Sequence, residues 1–140
     1  IASSLLIVAV LASIISSKIF FTLYHGVVYV TIMIEIKEYI DINGHNSFEK
    51  WFNGLNTVVA LKVRRYLARL ENANFSQVEG VGGGVFECKI NFGPGYRVYF
   101  GKDGVKLIIL LAGGTKKRQQ NDIKLAKELW QEYKKRRKEG

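Results

Sequence analysis

At 140 residues and 15.9 kDa the chain is long enough for one domain with a modest core. Its 21 Lys and Arg against 12 Asp and Glu give a formal net charge of +9, which favours nucleic acid, an anionic membrane surface or an acidic protein as partner. Cys88 is the only cysteine and His25 and His45 the only histidines, which excludes an intrachain disulfide and a cysteine-cluster zinc site. No metal centre and no cofactor are expected.

Residues 1–32 form an apolar N-terminal extension in which Lys18 is the only charge. The apolar stretches on either side of that lysine are each shorter than the ~20 residues of a membrane span. No positive region precedes the first stretch, which argues against a cleavable export signal. The extension reads as upstream sequence, with a membrane anchor as the alternative, and residues 33–140 read as the folded domain.

In that domain Ile34, Ile36 and Ile40 alternate with Glu35, Lys37 and Tyr39, a period of two that predicts a half-buried strand. Asn43-Gly44 ends it. Ser47 is a candidate cap for a short helix carrying Phe48, Trp51, Phe52 and Leu55, and a second helix from about Thr57 has Val59, Val63, Tyr66, Leu67 and Leu70 as its apolar stripe. The opposite face of the second helix bears Lys62, Arg65 and Arg69. A glycine-rich loop is predicted between Asn72 and Gly84, followed by a strand with Phe86, Cys88, Ile90 and Phe92 inward. Gly93-Pro94-Gly95 reverses the chain, and Tyr96, Val98 and Phe100 face the core of the next strand. Asp103-Gly104 predicts a tight hairpin into an apolar strand from Val105 to Ala112, and a last helix begins near Asn121 with Ile123, Ala126, Leu129, Trp130 and Tyr133 as its packing stripe. The predicted class is α+β: strand, helix, helix, three antiparallel strands, helix, with the helices mostly on one sheet face.

Strand alternation turns Glu87, Lys89, Arg97 and Tyr99 away from that core. A cationic face beside an aromatic suits a polyanion, with cations on phosphate and Tyr99 stacking a base. An ordinary cross-strand charge cluster on a solvated sheet is the other reading. Lys116, Lys117 and Gln119 precede the last helix, whose amino end favours anions, while Asn121 as a cap and Asp122 as a first-turn acid give a purely structural account of the same segment. Lys62, Arg65 and Arg69 suit a large RNA, an acidic partner or a solvated helix face. Gly113-Gly114 lacks the remaining residues of a phosphate-binding P-loop. Trp51 and Trp130 read as core, and Cys88 as a small buried hydrophobe.

Read in order, Glu87, Lys89, Gly93-Pro94-Gly95-Tyr96-Arg97-Val98-Tyr99, Gly113-Gly114-Thr115-Lys116-Lys117, Gln119 and Asp122-Ile123 resemble the RelE/HigB-type toxins of type II toxin-antitoxin modules. The resemblance is to the branch known as addiction module killer proteins, and it covers Met33 to about Tyr133. It implies a small RelE/ParE-like domain acting in the cytoplasm as a ribosome-dependent, metal-independent messenger RNA endonuclease that inhibits translation. The implied partners are the ribosome, messenger RNA and a small antitoxin, expected to be a helix-turn-helix DNA-binding protein. Carried over residue by residue, Arg97 contacts the scissile phosphate, Lys89 helps bind or activate the RNA, and Arg118 supports the leaving group. Glu87 departs from RelE, which has lysine there, so a lysine base at that position does not transfer. Glutamate at 87 is left to accept a proton or to orient Lys89 or Arg97. A ParE-like gyrase inhibitor and a noncatalytic RNA-binding regulator are the competing functions.

Overall fold

The computed structural model describes residues 19–140, and the first 18 residues of the apolar extension lie outside the described residues. The architecture is mixed α+β. Strands β1 (Ile19–Tyr24) and β2 (Val27–Ile32) form an antiparallel hairpin through His25 and Gly26, both at positive φ. This hairpin is a two-stranded sheet of its own, so the second half of the extension has strand structure that the sequence reading did not anticipate. No helix among the described residues is long and apolar enough to cross a membrane.

The main sheet has five strands in the order β3-β7-β6-β5-β4. They are β3 (Glu35–Glu38), β4 (Val78–Gly82), β5 (Val85–Ile90), β6 (Tyr96–Asp103) and β7 (Leu107–Thr115). β3 runs parallel to β7, and the remaining pairs are antiparallel. The predicted elements need two corrections beyond the early hairpin, one to their order and one to a strand end. The glycine-rich segment contains a fourth strand, β4, paired with β5 in spite of a bulge between Gly80 and Gly82, because backbone hydrogen bonds to a neighbouring edge do not require an alternating apolar side-chain pattern. The strand near Ile34 stops at Glu38, so its alternation breaks: Tyr39 is buried and Ile40 exposed.

Helix α1 (Ser47–Asn53) is capped by Asn46, not Ser47: the Asn46 side-chain oxygen accepts from the Glu49 amide at 2.9 Å. Asn56 caps α2 (Thr57–Glu71) in the same way, accepting from Val59 N at 3.0 Å. A 3₁₀ turn at Lys116–Arg118 leads into α3 (Gln119–Glu139), so Asn121 lies inside the helix and does not cap it.

Both faces of the sheet are covered. On one, Phe48, Val59, Val63 and Leu70 of α1 and α2 pack on Cys88, Ile90, Val98, Phe100, Ile108 and Leu110. On the other, Ala126, Leu129 and Trp130 of α3 pack on Val85, Tyr99, Ile109, Leu111 and Ala112. A bulge in the β6–β7 pairing, where Tyr99 meets Ala112 but Phe100 meets Leu110, leaves Leu111 as the extra residue and puts both Leu111 and Ala112 under α3. Two helices do lie on one face, as predicted, and the third covers the other, which agrees with the unalternating apolar run of β7 as a strand covered on both faces but not with an open face at Glu87, Arg97 and Tyr99.

Two glycines allow the indoles to approach the sheet. A Cβ at Gly101 would overlap the Trp130 ring, and one at Gly113 would overlap the Trp51 ring. Gly101→Ala should therefore lower stability by about 1–3 kcal/mol through overpacking, whereas Gly80→Ala, whose Cβ would meet Phe86 at an ordinary 3.9 Å, should stay within about 0.5 kcal/mol of wild type. Urea denaturation of the two variants checks this, and equal stabilities would show that Trp130 does not rest on Gly101.

Candidate functional site

The residues that alternation turns away from the α1–α2 core converge beneath the first turn of α3. Glu87 pairs with Tyr99 and Lys89 with Arg97 across β5 and β6, and Arg97 pairs with Gly114 across β6 and β7. These positions share one face, as predicted, but apart from half-exposed Lys89 that face is not solvated. Glu87 is 1% exposed, Arg97 8% and Tyr99 0%. The reading of Tyr99 as a base-stacking platform is thereby overturned: its ring is core. Glu87 is likewise enclosed and does not lie on an open surface.

Glu87 instead holds Arg97. Arg97 Nε lies 3.3 Å from Glu87 Oε1, close enough for an ion pair but not aligned as a hydrogen bond, and Gln119 Nε2 donates to Glu87 Oε2 at 2.9 Å. Of the two partners proposed for Glu87, the structure supplies Arg97. Lys89 turns to the other neighbouring strand, with its Nζ 2.9 Å from Glu79 Oε2 on β4.

The far end of the Arg97 side chain approaches the rim of the sheet. A Cβ built on Gly95 would lie 3.8 Å from Arg97 Nη1 and 3.8 Å from Lys116 Cβ, and the Lys116 amide donates to the Gly95 carbonyl at 3.1 Å. The β5–β6 turn and the 3₁₀ turn therefore meet over the guanidinium. Gly93 and Gly95 both have positive φ in this turn, which is why glycine flanks Pro94 there. Lys116 and Lys117 are exposed beside it. Lys62 reaches the same end of the sheet from α2, its Nζ 5.3 Å from the centre of the Phe92 ring. Arg65 is exposed on the outer face of α2, and Arg69 stacks on Tyr66 at 4.4 Å. Neither is brought to the turn.

Arg118 belongs to a different place. It is exposed and lines a groove of ≈ 590 Å³ with Asp122, Gly113, Gly114, Trp51 and Lys50. Asp122 is 8% exposed, and its Oδ2 is pressed so close to Gly114 that a Cβ there would collide with it. Gly113 and Gly114 are thus strand residues whose missing side chains admit Trp51 and Asp122, not a phosphate loop. Burial raises the pKa of Asp122, opposed by the charge of Arg118. Burial, and then the Glu87 and Asp122 carboxylates, push the Tyr99 phenol up, and its buried hydroxyl faces the Glu87 carboxylate without the alignment of a full hydrogen bond. The Cys88 thiol is pushed up to about 11, mainly by burial, which makes it an inert core group. Among the described residues no three His, Cys, Asp or Glu side chains are grouped to hold a metal ion.

Sequence reasoning missed Glu79, because β4 lacks an alternating pattern, and it missed the contact of Gln119 with Glu87. The only signal for the latter is a long polar side chain at the start of the helix that crosses the sheet.

The buried pair changes what the simplest mutation does. Arg97→Ala leaves the Glu87 carboxylate without its counter-charge and should cost roughly 3–5 kcal/mol, so lost function in that variant reports on folding as well as chemistry. Arg97→Met combined with Glu87→Gln should recover most of that stability. Thermal melts of the single and double variants test the pairing, and equal losses in both would refute it. Asp122 titrates with the opposite consequence from a salt-bridged acid. Its raised pKa means that the folded chain binds the proton more tightly than the unfolded chain, so its contribution is present below the ordinary value of 3.8 and falls as pH rises through the folded value. Asp122→Asn should remove that fall, giving a flatter stability profile on urea denaturation across the acidic range.

No family model matches the chain. A protein of Haemophilus influenzae described as uncharacterized is 40% identical over 94 residues, which cover 66% of this chain and 95% of that protein. With nearly the whole length of that relative matched at this identity, the chain belongs to the family that the Haemophilus protein represents.

Proposed function

We propose that the chain is the toxin of a type II toxin-antitoxin module, with a RelE/ParE-like arrangement of β3, α1, α2, β5, β6, β7 and α3. In this reading it is a ribosome-dependent messenger RNA endonuclease that acts in the cytoplasm and is neutralised by a small antitoxin. The observation that carries the reading is Arg97: a guanidinium anchored from behind by a buried carboxylate, with its free end beneath a glycine-rich turn and beside exposed lysines. Such an arrangement presents a rigid donor fork to a phosphate without spending side-chain entropy at the moment of reaction.

In this reading the chemistry is a transesterification within the RNA. The neighbouring 2′-hydroxyl of the RNA attacks the phosphorus in line and gives its proton to solvent water, the P–O5′ bond breaks and the departing oxygen takes a proton from water, and the products are a 2′,3′-cyclic phosphate and a 5′-hydroxyl. Arg97 stabilises the charge on the non-bridging oxygens, and Lys89, released from exposed Glu79, binds a neighbouring phosphate. Lys116, Lys117 and Lys62 extend the positive rim. Arg118, on the groove side of the 3₁₀ turn, supports the leaving strand in this reading. The ribosome, holding the message, supplies positioning that one small basic surface does not.

The test compares naked messenger with programmed ribosomes at matched RNA concentration, in EDTA with polyamine to keep ribosomes intact, mapping 5′ ends by primer extension. Cleavage is expected on ribosomes alone. Arg97→Lys, which retains the charge opposite Glu87 but loses the planar fork, should reduce it on the order of 10²-fold while remaining folded. Lys89→Ala and Arg118→Ala should each reduce it less. Equal cleavage of naked RNA would indicate an independent ribonuclease, and no cleavage with inhibited plasmid supercoiling would indicate a gyrase inhibitor.

A further inference from the structure

We propose that Gln119 is a positioning residue for Arg97, acting through the buried carboxylate of Glu87 and not by touching RNA. The proposal rests on the reading of Arg97 as the phosphate-binding group. Its basis is how the two Glu87 oxygens are divided: Oε1 faces Arg97 Nε at 3.3 Å, and Oε2 accepts from Gln119 Nε2 at 2.9 Å. Glu87 is shut off from solvent, so water does not replace either partner.

An ionised carboxylate only accepts, so it is the amide nitrogen of Gln119 that faces it. The terminal torsion of a glutamate is broad. A single off-axis ion pair with Arg97 does not fix it, whereas the hydrogen bond from Gln119, delivered from another element, does. Gln119 is the first residue of α3, so the orientation of Glu87 is tied to the seating of that helix. The donor is neutral as well as correctly placed. A lysine at 119 would compete with Arg97 for the same charge, whereas an amide satisfies Oε2 and leaves the ionic interaction to Arg97. The exposed lysines just before it, at 116 and 117, are free for the polyanion.

The experiment uses the full chain with Gln119→Met, which removes the amide at similar length, and Gln119→Glu. In ribosome cleavage assays Gln119→Met should lower kcat by about tenfold or more with KM within about twofold of wild type. Its Arg97 Nε–H resonance should exchange with solvent faster than in wild type. Gln119→Glu places a second carboxyl against Glu87, so one of the pair holds a proton more tightly than an isolated acid. The protonated form donates as the amide did, and cleavage should recover as pH falls, a limb that wild type lacks.

A raised KM with unchanged kcat in Gln119→Met would make Gln119 an RNA contact and overturn the proposal, as would an unchanged Arg97 resonance. If Gln119→Met fails to fold, the acid-side recovery of Gln119→Glu supports the proposal and a flat profile overturns it. If wild type does not cleave ribosome-bound message, the nuclease reading fails, and the Arg97 resonance alone decides whether Gln119 positions it.

Discussion

The buried pair of Glu87 and Arg97 constrains the rest of this structure more than any other contact. Two opposite charges on adjacent strands have been taken out of water beneath a helix, where desolvation costs several kcal/mol per ion unless each finds partners. Everything around the pair is arranged to meet that requirement. Gln119 supplies the second donor to the carboxylate, and Gly114 on the third strand carries no side chain, which leaves room for the first turn of α3 to come down onto the sheet with Asp122. The polar end of this face sits under the beginning of α3, and the apolar end, built from Val85, Ile109 and Leu111, sits under Trp130 and Leu129.

Helix α3 is consequently fastened in three ways along its length. Its first turn is held by the Glu87 contact, and its middle by Trp130 resting on Gly101. Its last turns are tied by polar contacts that the composition disguises as a solvated charge run. Tyr39 donates to Glu132 at 2.8 Å, Arg136 donates to the Tyr39 hydroxyl and to the Ile40 carbonyl, and Tyr133 donates to Asp103, which is also paired with Arg137. These ties join the carboxyl end of the helix to the end of β3 and to the β6–β7 turn. A helix attached at both ends and stacked in the middle is a rigid lid, so the orientation of Arg97 inherits its rigidity from packing far outside the charged cluster.

The basic surface divides accordingly into groups with different physical roles. Lys116 and Lys117 are exposed cations beside the Gly93-Pro94-Gly95 turn, and half-buried Lys62 reaches the same end of the sheet over Phe92. Lys89 is half-exposed and already has a carboxylate, Glu79, that an incoming phosphate displaces. Arg97 is a buried group whose charge is compensated from behind. Arg65 and Arg69 lie on α2 away from the turn, and Arg118 looks toward the Asp122 groove. A net charge of +9 thus describes several fields and not a single continuous one.

Periodicity was enough to find α2, the inward Phe86, Cys88 and Ile90 of β5, the inward set of β6 and the reversal at Gly93-Pro94-Gly95, since each depends on local spacing and backbone preference, but Phe92, expected inward with them, lies beyond the strand and is exposed. It was also enough to put Glu87, Lys89, Arg97 and Tyr99 on one face, because alternation along paired strands is a property of the backbone. Whether that face meets water is not a local property. It depends on where a helix some twenty residues farther along lands, and its landing depends on glycines at 101 and 114 whose significance appears only when Trp130 and Asp122 arrive opposite them. The same long-range pairing decided that Glu87 serves Arg97 and not Lys89, and that the glycine-rich stretch from Val78 to Gly82 is a strand that supplies Glu79. Sequence by itself determined which residues travel together on each element. Tertiary structure decided which of them are buried, because desolvation is set by the elements that cover a face and not by the one that carries it.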